Sequence, residues 1–231
     1  MPSVRALLAG FLAIALVQVS TASPIPDPAV AAADCLPTKA VGTTPTIPSS
    51  GNTPDLPTTN LTLAYVAIGR GIQNYTCSAV GAVPSALGAI ATLYDATSLA
   101  FQSESAVHTI PPLAVYMPLP TGDLALAAGV FKPLGHHYFD AAGTPTFDLT
   151  AVNKILFGGK SGDVKAPSTA NVGPMGTGAV DWLQLTKKAT YTSVGTSVAY
   201  RVVTAGGSAP ANCSSTDLIS VPYAAEYWFY A

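Results

Sequence analysis

The sequence predicts an all-β fold, an antiparallel β-sandwich or barrel with at most one or two short helices. Three observations lead there. Short segments alternate apolar and polar side chains, as in AVDWLQL over 179–185. Glycine and proline, 20 of each, punctuate these segments closely. No helical pattern of about 10–15 residues is interleaved with them, which disfavours a parallel βαβ arrangement.

Taken in order, the chain opens on MPSVRALLAGFLAIALVQVSTAS, and a signal peptide is expected over 1–22. Arg5 gives the positive start, residues 6–19 a mostly apolar run, and Ser20-Thr21-Ala22 small residues for cleavage. The run is too short for a comfortable membrane span, and no second one follows. Residues 23–58 are rich in Pro, Thr, Ser and Ala. They read as an N-terminal arm, either extended and tacked down through Cys35 or a plain linker. A single β domain is expected over 59–231.

Residues 61–77, LTLAYVAIGRGIQNYTC, read as two consecutive β segments hinged at Gly69-Arg70-Gly71. Asn74-Tyr75-Thr76 is an N-glycosylation acceptor, as is Asn60-Leu61-Thr62. With Asn74 turned to solvent, alternation puts Ile72 and Thr76 on its face and sends Gln73, Tyr75 and Cys77 inward. An inward cysteine in an exported chain is a disulfide candidate. A third acceptor, Asn212-Cys213-Ser214, overlaps a cysteine and is the weakest. Cys35, Cys77 and Cys213 form an odd set, which leaves one unpaired or intermolecular.

Further along, GAIATLY at 88–94 alternates and ends at the turn residue Asp95. Pro111-Pro112 argues for an edge or a loop over 107–117. Thr121 is a cap for one short helix over 124–128. Residues 135–139 and 146–149 read as short strands, 191–204 as a strand pair or one bent strand, Gly206-Gly207 as a turn, and 221–230 as a closing aromatic strand. Gly158-Gly159-Lys160-Ser161 imitates the end of a phosphate-binding loop. Lys154 stands where that motif needs its first glycine, so a hairpin or loop is expected.

GRGIQNYTC, ATLYD, GHHYF with a following TPTFD, VDWLQL, YRVVTAGGSAPANC and VPYAAEYWFY occur in that order. Together they resemble the domain of unknown function 3455 family of secreted fungal and bacterial proteins, over about residues 59–231. The resemblance implies a mostly β domain and a pairing of Cys77 with Cys213. The leader, arm and acceptor sites suit a fungal member. Many fungal relatives carry another cysteine just after the LYD segment; here that region holds Ser98, which leaves Cys35 without an evident partner. No activity carries over from the family. Some relatives bear a malate dehydrogenase label, but Asn74 stands where a dinucleotide fingerprint begun at Gly69 needs its third glycine. That activity is not expected here.

Charged residues make up only 10% of the chain and the formal net charge is −2. No basic stripe is present, so nucleic acid is not an expected partner. The low charge suits a secreted glycoprotein, extracellular or in the cell wall. The most suggestive chemistry lies in Gly135-His136-His137-Tyr138-Phe139. Neighbours on a strand face opposite ways, so only one of His136 and His137 can line a given pocket; that one could act with Asp148 or Asp140. A zinc site would need three or four ligands. His108 is the only histidine left to add, and neither a metal nor a cofactor is expected. The aromatics around Trp182 and at 227–230 read as core, with an exposed subset able to stack on a ligand. The leading expectation is non-catalytic binding of a glycan, a cell-wall component or a small apolar molecule, with His136, His137 and Trp182 as candidate contacts. The alternative is a hydrolase-like or metal-assisted enzyme centred on His137 with Asp148 and Tyr138. A host-facing interaction protein would instead present an exposed apolar patch.

Overall fold

The computed structural model describes residues 44–120 and 131–231. The leader, Cys35 and the helix expected over 124–128 lie outside these residues. The described chain forms a closed antiparallel barrel of eight strands, each paired with its neighbours in sequence. They are β1 (Leu63–Thr76), β2 (Ser85–Asp95), β3 (Pro133–Phe139), β4 (Pro145–Leu149), β5 (Lys154–Val164), β6 (Trp182–Lys187), β7 (Val198–Gly206) and β8 (Ile219–Tyr230). β8 pairs back onto β1, with Gly69 opposite Ala225, and closes the wall. Of the two architectures expected, the barrel is the one formed; closure leaves no sheet edge exposed.

Residues 61–77 do not hinge. β1 is one continuous strand of 14 residues, and its glycines serve close packing instead. A Cβ on Gly69 would sit 2.5 Å from the Tyr227 ring, and one on Gly71 would sit 2.0 Å from the Ile90 carbonyl oxygen. β5 runs straight through Gly158-Gly159-Lys160-Ser161, where a hairpin or loop was expected, with a register shift between Lys160 and Gly162. Where a strand pair or one bent strand was expected over 191–204, the single strand β7 forms from Val198 only. It bulges between Val202 and Ala205, and Val203 adopts φ +45° there.

Alternation sorts the side chains into two cores. Inward positions in register, among them Ala67, Leu93, Phe147, Leu156, Leu185, Ala199, Tyr227 and Phe229, fill the barrel. Outward positions of β1, β7 and β8, among them Val66, Ile68, Tyr200, Val202 and Trp228, form a second core outside the wall. Three short helices of the β2–β3 connection pack against it: α1 (Thr97–Gln102), α2 (Glu104–His108) and α3 (Ile110–Ala114). Pro111-Pro112, expected in an edge or loop, lies in the first turn of α3. Proline is tolerated there because first-turn N–H groups have no partner within the helix.

Two buried polar groups fasten this outer layer. Glu226, fully buried on β8, accepts from Trp228 Nε1 at 2.8 Å and faces His108 Nδ1 at 2.8 Å. Arg70 on β1 donates through Nη2 to the Met117 carbonyl at 2.7 Å and through Nη1 to the Gly71 and Tyr223 carbonyls. Residues 44–58, the described part of the arm, have no regular structure but are held to the barrel. The Pro57 carbonyl accepts from Tyr200 Oη at 2.7 Å and from Gln184 Nε2 at 3.1 Å, and Leu56 is buried in the outer core.

Candidate ligand-binding site

The connections β1–β2, β3–β4, β5–β6 and β7–β8 lie at one end of the barrel, and that end is open. A cavity of about 570 Å³ occupies this mouth, between Gln73, Tyr75, Phe139, Asp181, Leu183 and Arg201. Below it lies an interior cavity of about 180 Å³, bounded by His137, Phe139, Phe147, Leu183, Leu185 and Tyr227. Phe139, Lys160, Leu183 and Arg201 line both, so the two spaces adjoin. An eight-stranded barrel is just wide enough to be filled by side chains or to hold one small ligand. This one is filled at the β1 side, where β1 supplies Gly69 and Gly71 inward, and hollow toward β5 and β6.

Polar groups are few and specifically placed. Lys160 pairs with Asp163 at 2.5 Å and Lys165 with Asp181 at 2.9 Å, both at the rim. Arg201 points inward from β7, opposite Leu183 on one side and Tyr227 on the other. Its Nε and Nη2 donate to the Asp181 carbonyl at 3.3 and 2.9 Å. Among the described residues no carboxylate lies within ion-pairing distance of it.

His137 forms part of the interior wall. Its Nδ1 donates to the Thr146 carbonyl at 2.9 Å, which leaves Nε2 as the unprotonated nitrogen. The ring stacks on Phe147 with centroids 4.3 Å apart. Burial pushes its pKa down to about 4, so the imidazole is neutral near pH 7. Tyr223 and Tyr227 hydrogen-bond through their hydroxyls at 3.0 Å. Burial raises both phenols above their ordinary value, so neither serves as a base.

The candidate residues are not all brought together. His137 faces the cavity. His136 faces away from it, opposite Asp148 in the β3–β4 register, and Tyr138 follows the outward phase as well. His137, Asp148 and Tyr138 therefore do not converge, because the period of two separates them across the sheet. Asp140 caps the β3–β4 turn by accepting from the Ala142 and Thr144 backbone N–H groups. Trp182 is buried in the outer core beside Leu56 and Tyr200, so no indole face is offered to a ligand. No group of three or more His, Cys, Asp or Glu side chains among the described residues could hold a metal ion. Asn60 is exposed; Asn74 faces outward as expected, and its Oδ1 accepts from the Ser220 hydroxyl at 2.7 Å. Cys77 and Cys213 are joined in a disulfide that spans 136 residues of sequence.

Arg201, Lys160 and Tyr227 were not among the sequence candidates. A signal was present for the first: in VAYRVVTAG a lone charge sits in phase with the inward Ala199. Lys160 carried none, since its segment read as a loop.

No curated protein and no solved structure matches the chain. Residues 57–231 match the family described as proteins of unknown function, DUF3455, a span that takes in every strand of the barrel. The chain belongs to that family.

Proposed function

We propose that this chain is an exported binding protein that holds a small, largely apolar molecule inside its barrel. The observation that carries this reading is the interior cavity of about 180 Å³, which adjoins an open mouth and is walled mainly by Phe139, Phe147, Leu183, Leu185 and Tyr227. Its wall is the usual composition of a small-molecule site, apolar with a few placed polar groups. Of the three ligand classes considered from the sequence, a small apolar molecule fits this space best. A glycan would want exposed aromatic faces, and both Trp182 and Trp228 are buried. A neutral, wall-packed His137 with Asp148 on the other face favours binding over turnover. The test is a thermal-stability screen of the purified protein against small aromatic and aliphatic molecules, since a ligand of the folded form raises its melting temperature. Leu183→Trp, which fills the passage between the two cavities, is expected to abolish the shifts. A full set of unshifted melting curves would refute the reading.

A further inference from the structure

We infer that the ligand is an organic acid: Arg201 receives its carboxylate, and a ring-sized apolar body occupies the cavity below. This rests on the binding reading above and specifies the chemistry of the same site. Consider the charges at the mouth. Lys160 is matched by Asp163 and Lys165 by Asp181, which leaves the Arg201 guanidinium with no carboxylate among the described residues. Its side edge, Nε–H and one Nη2–H, is held by the Asp181 carbonyl, so the group is oriented. Three N–H groups remain, two on Nη1 and one on Nη2; the Tyr227 hydroxyl engages the group, and among the described residues there is no further acceptor for it. A guanidinium fixed in this way offers a charged, oriented N–H donor to a carboxylate.

The location adds to the charge argument. Arg201 lines both cavities, so an anion on it sits at the junction of the wet mouth and the apolar interior. The floor supplies no competing charge, since His137 is neutral and Tyr227 stays protonated. An interior of about 180 Å³ is close to the roughly 150 Å³ that accommodates a single benzene ring in an engineered apolar cavity. One unmatched cation above one ring-sized space describes an aromatic monocarboxylate. Dianions would meet Asp163 and Asp181 at the rim.

The probes are benzoate and phenylacetate, with benzamide as the neutral isostere of benzoate, measured by calorimetry and melting temperature on the full chain. Benzoate is expected to bind at least tenfold more tightly than benzamide, with the preference weakening as salt is raised. Arg201→Met is expected to remove the preference; Arg201→Lys, which keeps the charge, should retain part of it. Equal binding of benzoate and benzamide, both blocked by Leu183→Trp, would overturn the carboxylate assignment and leave the cavity reading intact. A benzoate preference that survives Arg201→Met would overturn the role of Arg201. No binding of any probe at millimolar concentration, or binding indifferent to Leu183→Trp, would overturn the inference and the cavity reading together. The wild-type comparison of benzoate with benzamide needs no variant, so poor folding of Arg201→Met does not shield the inference.

Discussion

Removing His108 should loosen the outer helices from the barrel by a predictable, pH-dependent amount. In the native chain the Glu226 carboxylate has no solvent exposure, and its partners are His108 Nδ1 and Trp228 Nε1, each at 2.8 Å. Glu104 adds a longer contact to His108 at 3.8 Å. In His108→Ala the buried carboxylate keeps only the indole donor, and its escape is to take up a proton. With an ordinary glutamate value of 4.5, that protonation at pH 7 costs about 1.36 × 2.5, or roughly 3.4 kcal/mol. Adding the lost hydrogen bond gives an expected destabilisation of about 4 kcal/mol, within the range for breaking a buried pair. At pH 5 the protonation part falls to about 0.7 kcal/mol, so the penalty should shrink, by less than that difference because the wild-type pair gains there from a protonated His108. The wild type has its own slope. Hydrogen bonding to Glu226 raises the His108 pKa, so the clamp contributes fully below the unfolded value of about 6.5 and weakens as pH climbs through the higher folded value. The assay is urea unfolding followed by tryptophan fluorescence at pH 5, 6 and 7, with Trp228 as the local reporter. Glu226→Gln buries no charge and should lose only about 1 kcal/mol, and in the double variant most of the His108→Ala penalty should vanish. A His108→Ala loss below about 1 kcal/mol at pH 7, or one that does not change with pH, would refute this reasoning.

The second histidine acts in the opposite sense. His137 has its pKa depressed from 6.5 to about 4, so its contribution is present above pH 6.5 and is lost as pH falls toward 4. Over that interval about 3 kcal/mol should disappear, and His137→Phe should flatten the acid limb of a stability–pH curve. Gly71→Ala should destabilise by about 3 kcal/mol, because the new Cβ meets the Ile90 carbonyl and the Ala91 Cα, which cannot retreat without opening the β1–β2 pairing. Gly159→Ala, whose nearest neighbour is the flexible Lys188 side chain at 3.2 Å, should stay within about 0.5 kcal/mol in the same urea titration.

Much of the β framework was legible because alternation is a local property. The strands at β2, β3, β4 and β8 could be placed from residue pattern alone, and so could the inward turn of Tyr75 and the split between His136 and His137. Errors arose where a residue type has two meanings. Gly69 and Gly71 were read as freedom to bend, whereas here they make room for Tyr227 and for the β2 backbone. Gly158-Gly159 marked a loop by composition, yet a Cβ on Gly158 would press on Leu185 inside the barrel. Pro111-Pro112 pointed to an edge or a loop, because first-turn proline and loop proline look alike in sequence. The site was the least legible part. Arg201 and Lys160 meet at the mouth only because β5, β6 and β7 are neighbours in a closed barrel, and no local spacing relates positions 160 and 201. Glu226 was overlooked for a related reason: inside YAAEYWFY it reads as a stray polar position until α2 is seen to bring His108 over it.

The disulfide has a mechanical consequence for the mouth. Cys77 follows β1 directly, and Cys213 lies in the connection that leads into β8, so the covalent bond fastens the rim at the seam where the first and last strands meet. Two backbone hydrogen bonds, Gly81 to Cys213 and Cys213 to Ala82, stitch the same corner. That side of the opening behaves as a fixed jamb. Any widening that admits a molecule must fall on the opposite lip, formed by the β3–β4 turn and by the end of β5 with the long stretch that follows it, where Lys160 and Lys165 stand.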